Sequence, residues 1–158
     1  MQNSGFSLLE LLVIICISAI MISIGISHWK TLHLRNELMT TTKQLAYFLN
    51  EAQFKAYTNN KTYNIYLFLS PWCLSISEGE RPTTCNQGEF QFIKPNNSVT
   101  ISGLTDKKTL AFWGRRNMAQ TASFQLKNET GETKVLISFR GRVRFCHQKS
   151  YLSGLPPC

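Results

Sequence analysis

Hydrophobic positions along the chain change period twice. From Phe6 to Ile26 there are 21 residues whose only ionisable side chains are Glu10 and the thiol of Cys16. An apolar run of roughly 20 residues is what an α-helix needs to cross a bilayer. Beyond it, Leu32, Leu34, Leu38, Leu45, Phe48, Leu49, Ala52 and Ala56 recur mostly at intervals of three, four or seven, the stripe left by one buried face of an amphipathic helix. Thr40, Thr41, Lys43, Gln44, Asn50 and Glu51 fall on the opposite, polar face. No proline occurs from Met1 to Tyr57. The two patterns therefore predict one helix over 6–57, transmembrane over 6–26 and stopped by Thr58-Asn59-Asn60-Lys61. Gly25 is its weak point, since glycine costs about 1 kcal/mol relative to alanine in a helix interior.

After Lys61 the period falls to two. Short β segments are predicted over 63–69, 72–76, 90–93, 99–101, 109–113, 123–127, 133–138 and 143–146, with turn chemistry between them. Lys94-Pro95-Asn96-Asn97 is one such turn, and Lys127-Asn128-Glu129-Thr130-Gly131-Glu132 reads as a hairpin tip. Pro156-Pro157-Cys158 reads as a pinned tail. Short strands after a single helix predict an α+β fold, in which a long N-terminal helix packs on a mostly antiparallel sheet within a β domain over 58–158.

Composition narrows the class. With 43% hydrophobic and 16% charged residues, the chain is a globular unit with a membrane helix, not a disordered or fibrous one. The net charge of +8 is lopsided: residues 1–106 hold seven basic and seven acidic groups, residues 107–158 ten and two. Such an excess fits a polyanionic partner, or simply a soluble basic face. Four of the five cysteines fall as Cys73, Cys85, Cys146 and Cys158. They allow three pairings; Cys73–Cys85 and Cys146–Cys158 are preferred because each closes a loop rich in turn-forming residues. Zinc is disfavoured by the lack of a CxxC spacing and the scarcity of histidine.

A carboxylate inside an apolar helix costs on the order of 2.5–3.5 kcal/mol on insertion scales, so Glu10 needs a cationic partner. An α-amino group made by cleavage between Gly5 and Phe6 would supply one. A conventional signal peptide fits poorly, because there is no basic n-region and Ser27-His28-Trp29-Lys30 is no small-residue cleavage site. Gly5-Phe6-Ser7-Leu8-Leu9-Glu10 and the apolar run behind it resemble the type IV prepilin signal. The resemblance implies a leader peptide over 1–5, removed after Gly5 by prepilin peptidase, and methylation of Phe6. It also implies pairing of Glu10 with the N-terminal amine of a neighbouring subunit during assembly. The leader lacks the Lys or Arg usual in the family.

Leu110-Ala111-Phe112-Trp113-Gly114, the 127–132 passage and Gly141-Arg142-Val143-Arg144 are similar to the GspH/FimT-like minor pilins. This likeness implies a type IV pilin-like fold, a single pass through the inner membrane with the β domain in the periplasm, and assembly with major and minor pilins into a pilus, near its tip. H-type minor pseudopilins of type II secretion, with a purely structural role, share signal and fold and stand as the alternative.

No catalytic constellation emerges. His28 and His33 are five apart on the helix, and His147 adjoins a cysteine that pairing with Cys158 would make inert. GxSxG and glycine-rich phosphate loops are absent from the sequence, so the chain reads as a non-enzyme with no cofactor or metal. The sharper feature is Arg140-Gly141-Arg142-Val143-Arg144. In an extended segment its three arginines would share one side at roughly 6–7 Å intervals, with Phe139, Val143 and Phe145 facing the core. Gly141 would bend the segment and let a phosphate approach. FimT-like minor pilins bind DNA through a Gly-Arg-x-Arg motif in natural transformation, and the resemblance implies that Arg142 and Arg144 contact double-stranded DNA without sequence preference. Arg140, Arg115, Arg116 and Lys149 would extend the patch. An edge strand kept soluble by charge, or a surface for an acidic pilin, is the competing reading.

Overall fold

A computed structural model of the chain describes residues 7–104, 110–148, 152 and 154–158. Helix α1 (Leu8–Asn59) is 52 residues long and is shared by two compact units, Met1–His33 and Leu34–Cys158.

In the first unit the helix carries no charged side chain from 11 to 26 and is apolar on all sides over that stretch but for Ser18 and Ser23. Leu8 is 83% exposed, and Leu11, Ile14, Ile17, Ile20 and Ile24 are all more than half exposed. A helix of this kind has to be covered by lipid or by protein, and it is long and apolar enough to cross a membrane. Ser18 and Ser23 donate to the carbonyls of Ile15 and Ile20, at 3.0 and 2.9 Å. Their hydroxyls are therefore satisfied inside the helix and do not interrupt the apolar surface.

In the second unit α1 buries Leu38, Thr41, Thr42, Leu45, Ala46, Leu49, Ala52 and Ala56. The stripe starts later than the sequence pattern indicates: Leu32 is exposed and Leu34 only half-buried. Thr41, expected on the polar face, is fully buried. Its hydroxyl oxygen accepts from Asn96 Nδ2 at 3.3 Å. Thr42 donates to Leu38 O at 2.7 Å, which leaves the Thr133 hydroxyl to donate across the 2.6 Å contact between them. A threonine can thus enter a core by bonding to the preceding turn. The helix ends two residues beyond the expected Tyr57, where Asn60 takes φ 56° and Lys61 N–H bonds Ala56 O at 3.1 Å.

The strands are β1 (Thr62–Leu69), β2 (Trp72–Ser77), β3 (Phe90–Ile93), β4 (Thr100–Leu104), β5 (Leu110–Trp113), β6 (Met118–Ala119), β7 (Ala122–Asn128), β8 (Gly131–Ile137) and β9 (Val143–His147). They form two antiparallel sheets, ordered β3-β2-β1-β5-β6 and β4-β7-β8-β9, where the sequence pattern predicts one. After the turn at 94–97 the chain leaves β3 for the other sheet, and β4 pairs with β7. The 127–132 passage is the β7–β8 hairpin tip, with Asn128 opposite Gly131. Asn128 Oδ1 accepts from the backbone of Thr130 and Gly131 at 2.9 and 3.2 Å, while its Nδ2 donates to Leu34 O at 2.7 Å. One side chain both shapes the turn and ties it to α1.

Tyr63, Ile65, Leu74, Ile76 and Phe112 of the first sheet and Phe124, Leu126, Val135 and Ile137 of the second join the helix stripe in one core. Each large apolar side chain so buried contributes about 1.5–3 kcal/mol. Trp72 of the first sheet ties down the segment that enters β4, its indole N–H donating to Val99 O at 2.8 Å. Both local disulfides are formed, Cys73–Cys85 with Cα atoms 6.5 Å apart and Cys146–Cys158 at 4.9 Å. The second holds the tail along β9: His147 N–H bonds Pro156 O at 2.9 Å and Cys158 N–H bonds His147 O at 3.1 Å.

Candidate functional site

The arginines of the last third sit on two turns and the start of β9. Arg115 and Arg116 lie in the single 3-10 turn Gly114–Arg116 between β5 and β6, which ends where Asn117 adopts a left-handed φ of 46°. Gly114 allows this turn to settle on the end of α1, because a Cβ there would overlap the Ala56 carbonyl oxygen and come within 2.6 Å of Lys61 O. Arg140 and Gly141 form the β8–β9 turn, closed by Gly141 N–H to Ser138 O at 2.9 Å and Ser138 N–H to Arg142 O at 3.0 Å. Arg142 immediately precedes β9, and Arg144 lies within it, opposite Leu136. All five arginines are exposed.

Two expectations fail at this turn. Arg140 does not continue an extended row with Arg142 and Arg144, because Gly141 at φ 73° reverses the chain between them. Phe139 does not face the core; it is 55% exposed, because the turn breaks the strand alternation that holds for Val143 and Phe145.

Gln53 of α1 fastens the two turns to each other. Its Nε2 donates to Asn117 Oδ1 at 3.2 Å, and the same amide fills the space beside Gly141. A Cβ on Gly141 would overlap Nε2 and come within 2.7 Å of Cδ. Ala119 N–H adds a direct link, donating to Phe139 O at 2.9 Å. Residues far apart in sequence thereby share one end of the domain.

Ion pairs among the described residues join Lys55 to Glu51, Lys61 to Glu78 and Lys127 to Glu132; among those residues none of the five arginines belongs to one. Lys61, which neighbours this end, is already engaged. Its hydrogen bond to Glu78, at 2.6 Å, and the charge attraction that accompanies it raise its pKa above the ordinary lysine value. Among the described residues at this end, the unpaired positive charge is thus the arginines' own.

Next to them runs an open groove lined by Asn60, Thr62, Trp113, Arg115, Arg116, Met118 and Phe139. Its floor follows from strand register: Thr62 is opposite Trp113, and Trp113 is opposite Met118. Residues directly opposite in a ladder project from the same face, so these three form a row across β1, β5 and β6.

Glu10 is exposed in the first turn of α1, where free backbone N–H groups favour negative charge. Gly5, Phe6 and Lys149 lie outside the described residues. Among the described residues, no group of His, Cys, Asp and Glu side chains is placed to hold a metal. Gln53, Asn117 and Phe139 belong to the site although the sequence pattern does not nominate them. Asn117 after Arg115-Arg116 carries a local signal, because asparagine tolerates left-handed backbone; Gln53 carries none.

Neither a protein-family model nor a curated protein sequence matches the chain. Among solved structures, the type IV minor pilin FimU of Pseudomonas aeruginosa is similar over 77% of this chain and 94% of its own, with a TM-score of 0.57 and 18% identity. At that identity the likeness speaks to architecture. This chain has the type IV pilin fold, a long N-terminal helix packed on antiparallel β-sheets.

Proposed function

We propose that the chain is a minor pilin of a type IV pilus system. One observation carries this reading: an apolar half-helix with no cover inside the chain opens on a carboxylate, Glu10, and leads into a pilin-fold domain. In this reading prepilin peptidase cuts after Gly5 in the inner membrane and methylates Phe6. The apolar half-helix leaves lipid for the filament core beside other major and minor pilins. Glu10 sets the register by meeting a neighbour's terminal amine, an attraction of about 4 kcal/mol at 4 Å for an effective dielectric of 20.

The β domain then presents its arginine end to DNA. Guanidinium groups match phosphate oxygens bidentately, and contacts to phosphate carry no sequence information, so binding is indifferent to sequence. The support is the collection of five exposed arginines, free of ion pairs among the described residues, on two fastened turns and the β9 strand that follows one of them. Full-length protein in detergent, titrated with a fluorescent duplex across a salt series, tests this. Arg142→Ala with Arg144→Ala is expected to weaken binding and to flatten the slope of log affinity against log salt by about 1.8, at 0.9 per phosphate contact. Wild-type affinity and slope in that variant would refute the assignment.

A further inference from the structure

Phosphate binding leaves the groove beside the arginines unexplained. Trp113 and Met118 are half-buried, while Phe139 projects from a turn where neither sheet covers it. The floor spans three strands at about 4.8 Å spacing, and is thus about 10 Å wide. Arg115 and Arg116 line the groove beside Trp113, Met118 and Phe139, with Asn60 and Thr62 as its neutral polar members, and among the described residues no carboxylate lines it.

A ligand suited to this site offers a flat apolar face and negative charge a few ångströms apart. Duplex DNA supplies the charge only, since its bases are stacked inside. A strand with free bases supplies both, and base stacking on aromatic side chains is the common means of holding such strands. We propose that the groove of Trp113, Met118 and Phe139 takes an unstacked base of single-stranded DNA, with Arg115 and Arg116 on the flanking phosphates. The proposal rests on the DNA-binding reading above and adds strand selectivity to it. The arginines near β9 grip backbone of either kind; the groove distinguishes a frayed or single-stranded end from an intact duplex.

Fluorescence anisotropy of the full-length protein in detergent, with labelled oligothymidylate and a duplex of equal length at low salt, separates the two claims. Phe139→Ala removes an exposed ring, so the fold is not at stake. It is expected to weaken oligothymidylate binding on the order of tenfold and duplex binding by less than about twofold, and Phe139→Trp to restore the former. Arg142→Ala with Arg144→Ala should weaken both. If Phe139→Ala weakens both probes equally, or neither, the groove assignment is overturned while the response to the arginine pair keeps the DNA reading intact. The assignment also falls if Phe139→Ala spares both probes but blocks cross-linking to another pilin, which would make a protein the occupant. Should the wild type bind neither probe, the DNA reading falls and this inference with it.

Discussion

Gly141 and Gln53 form the joint on which the site's geometry turns, and replacing them singly and together measures it. At φ 73° an alanine at position 141 would lose about 1–2 kcal/mol to left-handed backbone. Its Cβ would also collide with the Gln53 amide. That amide is the far end of a flexible side chain and can swing away, at the loss of its bond to Asn117 Oδ1, worth about 0.5–1.5 kcal/mol and nearer the low end at an exposed position. Gly141→Ala should therefore destabilise by about 1.5–2.5 kcal/mol. In a Gln53→Ala background only the backbone term remains, so the cost should fall to about 1–2 kcal/mol. Urea unfolding of the unit Leu34–Cys158, followed by circular dichroism in all four forms, gives both values. An equal cost in the two backgrounds would refute the contact, and a cost below about 0.5 kcal/mol would refute the left-handed turn.

Three other outcomes are expected. Thr42→Val leaves the Thr133 hydroxyl without its partner and should cost about 1–3 kcal/mol, whereas Thr42→Val with Thr133→Val should be close to neutral; equal costs by urea unfolding would contradict the buried hydroxyl pair. Replacing Cys146 and Cys158 with serine opens a loop of separation 12 and should cost about 3 kcal/mol on the chain-entropy account, checked by the same assay. Glu10→Ala should still be cut to mature length on an immunoblot yet be depleted from sheared filaments; normal incorporation would count against its pairing with a terminal amine.

The parts of the fold legible in the sequence are those fixed by local chemistry. The 90–93 strand, the Asn-Glu-Thr-Gly hairpin tip and the uninterrupted helix each follow from propensity and period within a few residues. What is not legible depends on partners distant in the chain. Thr41 looks polar because hydrophobic periodicity cannot see a partner as distant as Asn96, which meets its buried hydroxyl. The split into two sheets is a matter of which edges meet, and a strand's own residues hold no record of that. At the site, the cluster of arginines is legible as charge, but its shape is not. Gly141 looks like a bend within a strand, whereas it reverses the chain, and that reversal expels Phe139 and detaches Arg140 from the row. Lys149, outside the described residues, stays a sequence expectation.

The strap along β9 has a bearing on how copies of this chain meet. A strand at a sheet's margin offers unpaired amides and carbonyls to any passing strand. Here the chain's own last residues occupy that position at His147, held by a covalent link to Cys146. A second copy arriving there finds its place already taken. Lateral pairing through this margin is thereby discouraged at His147.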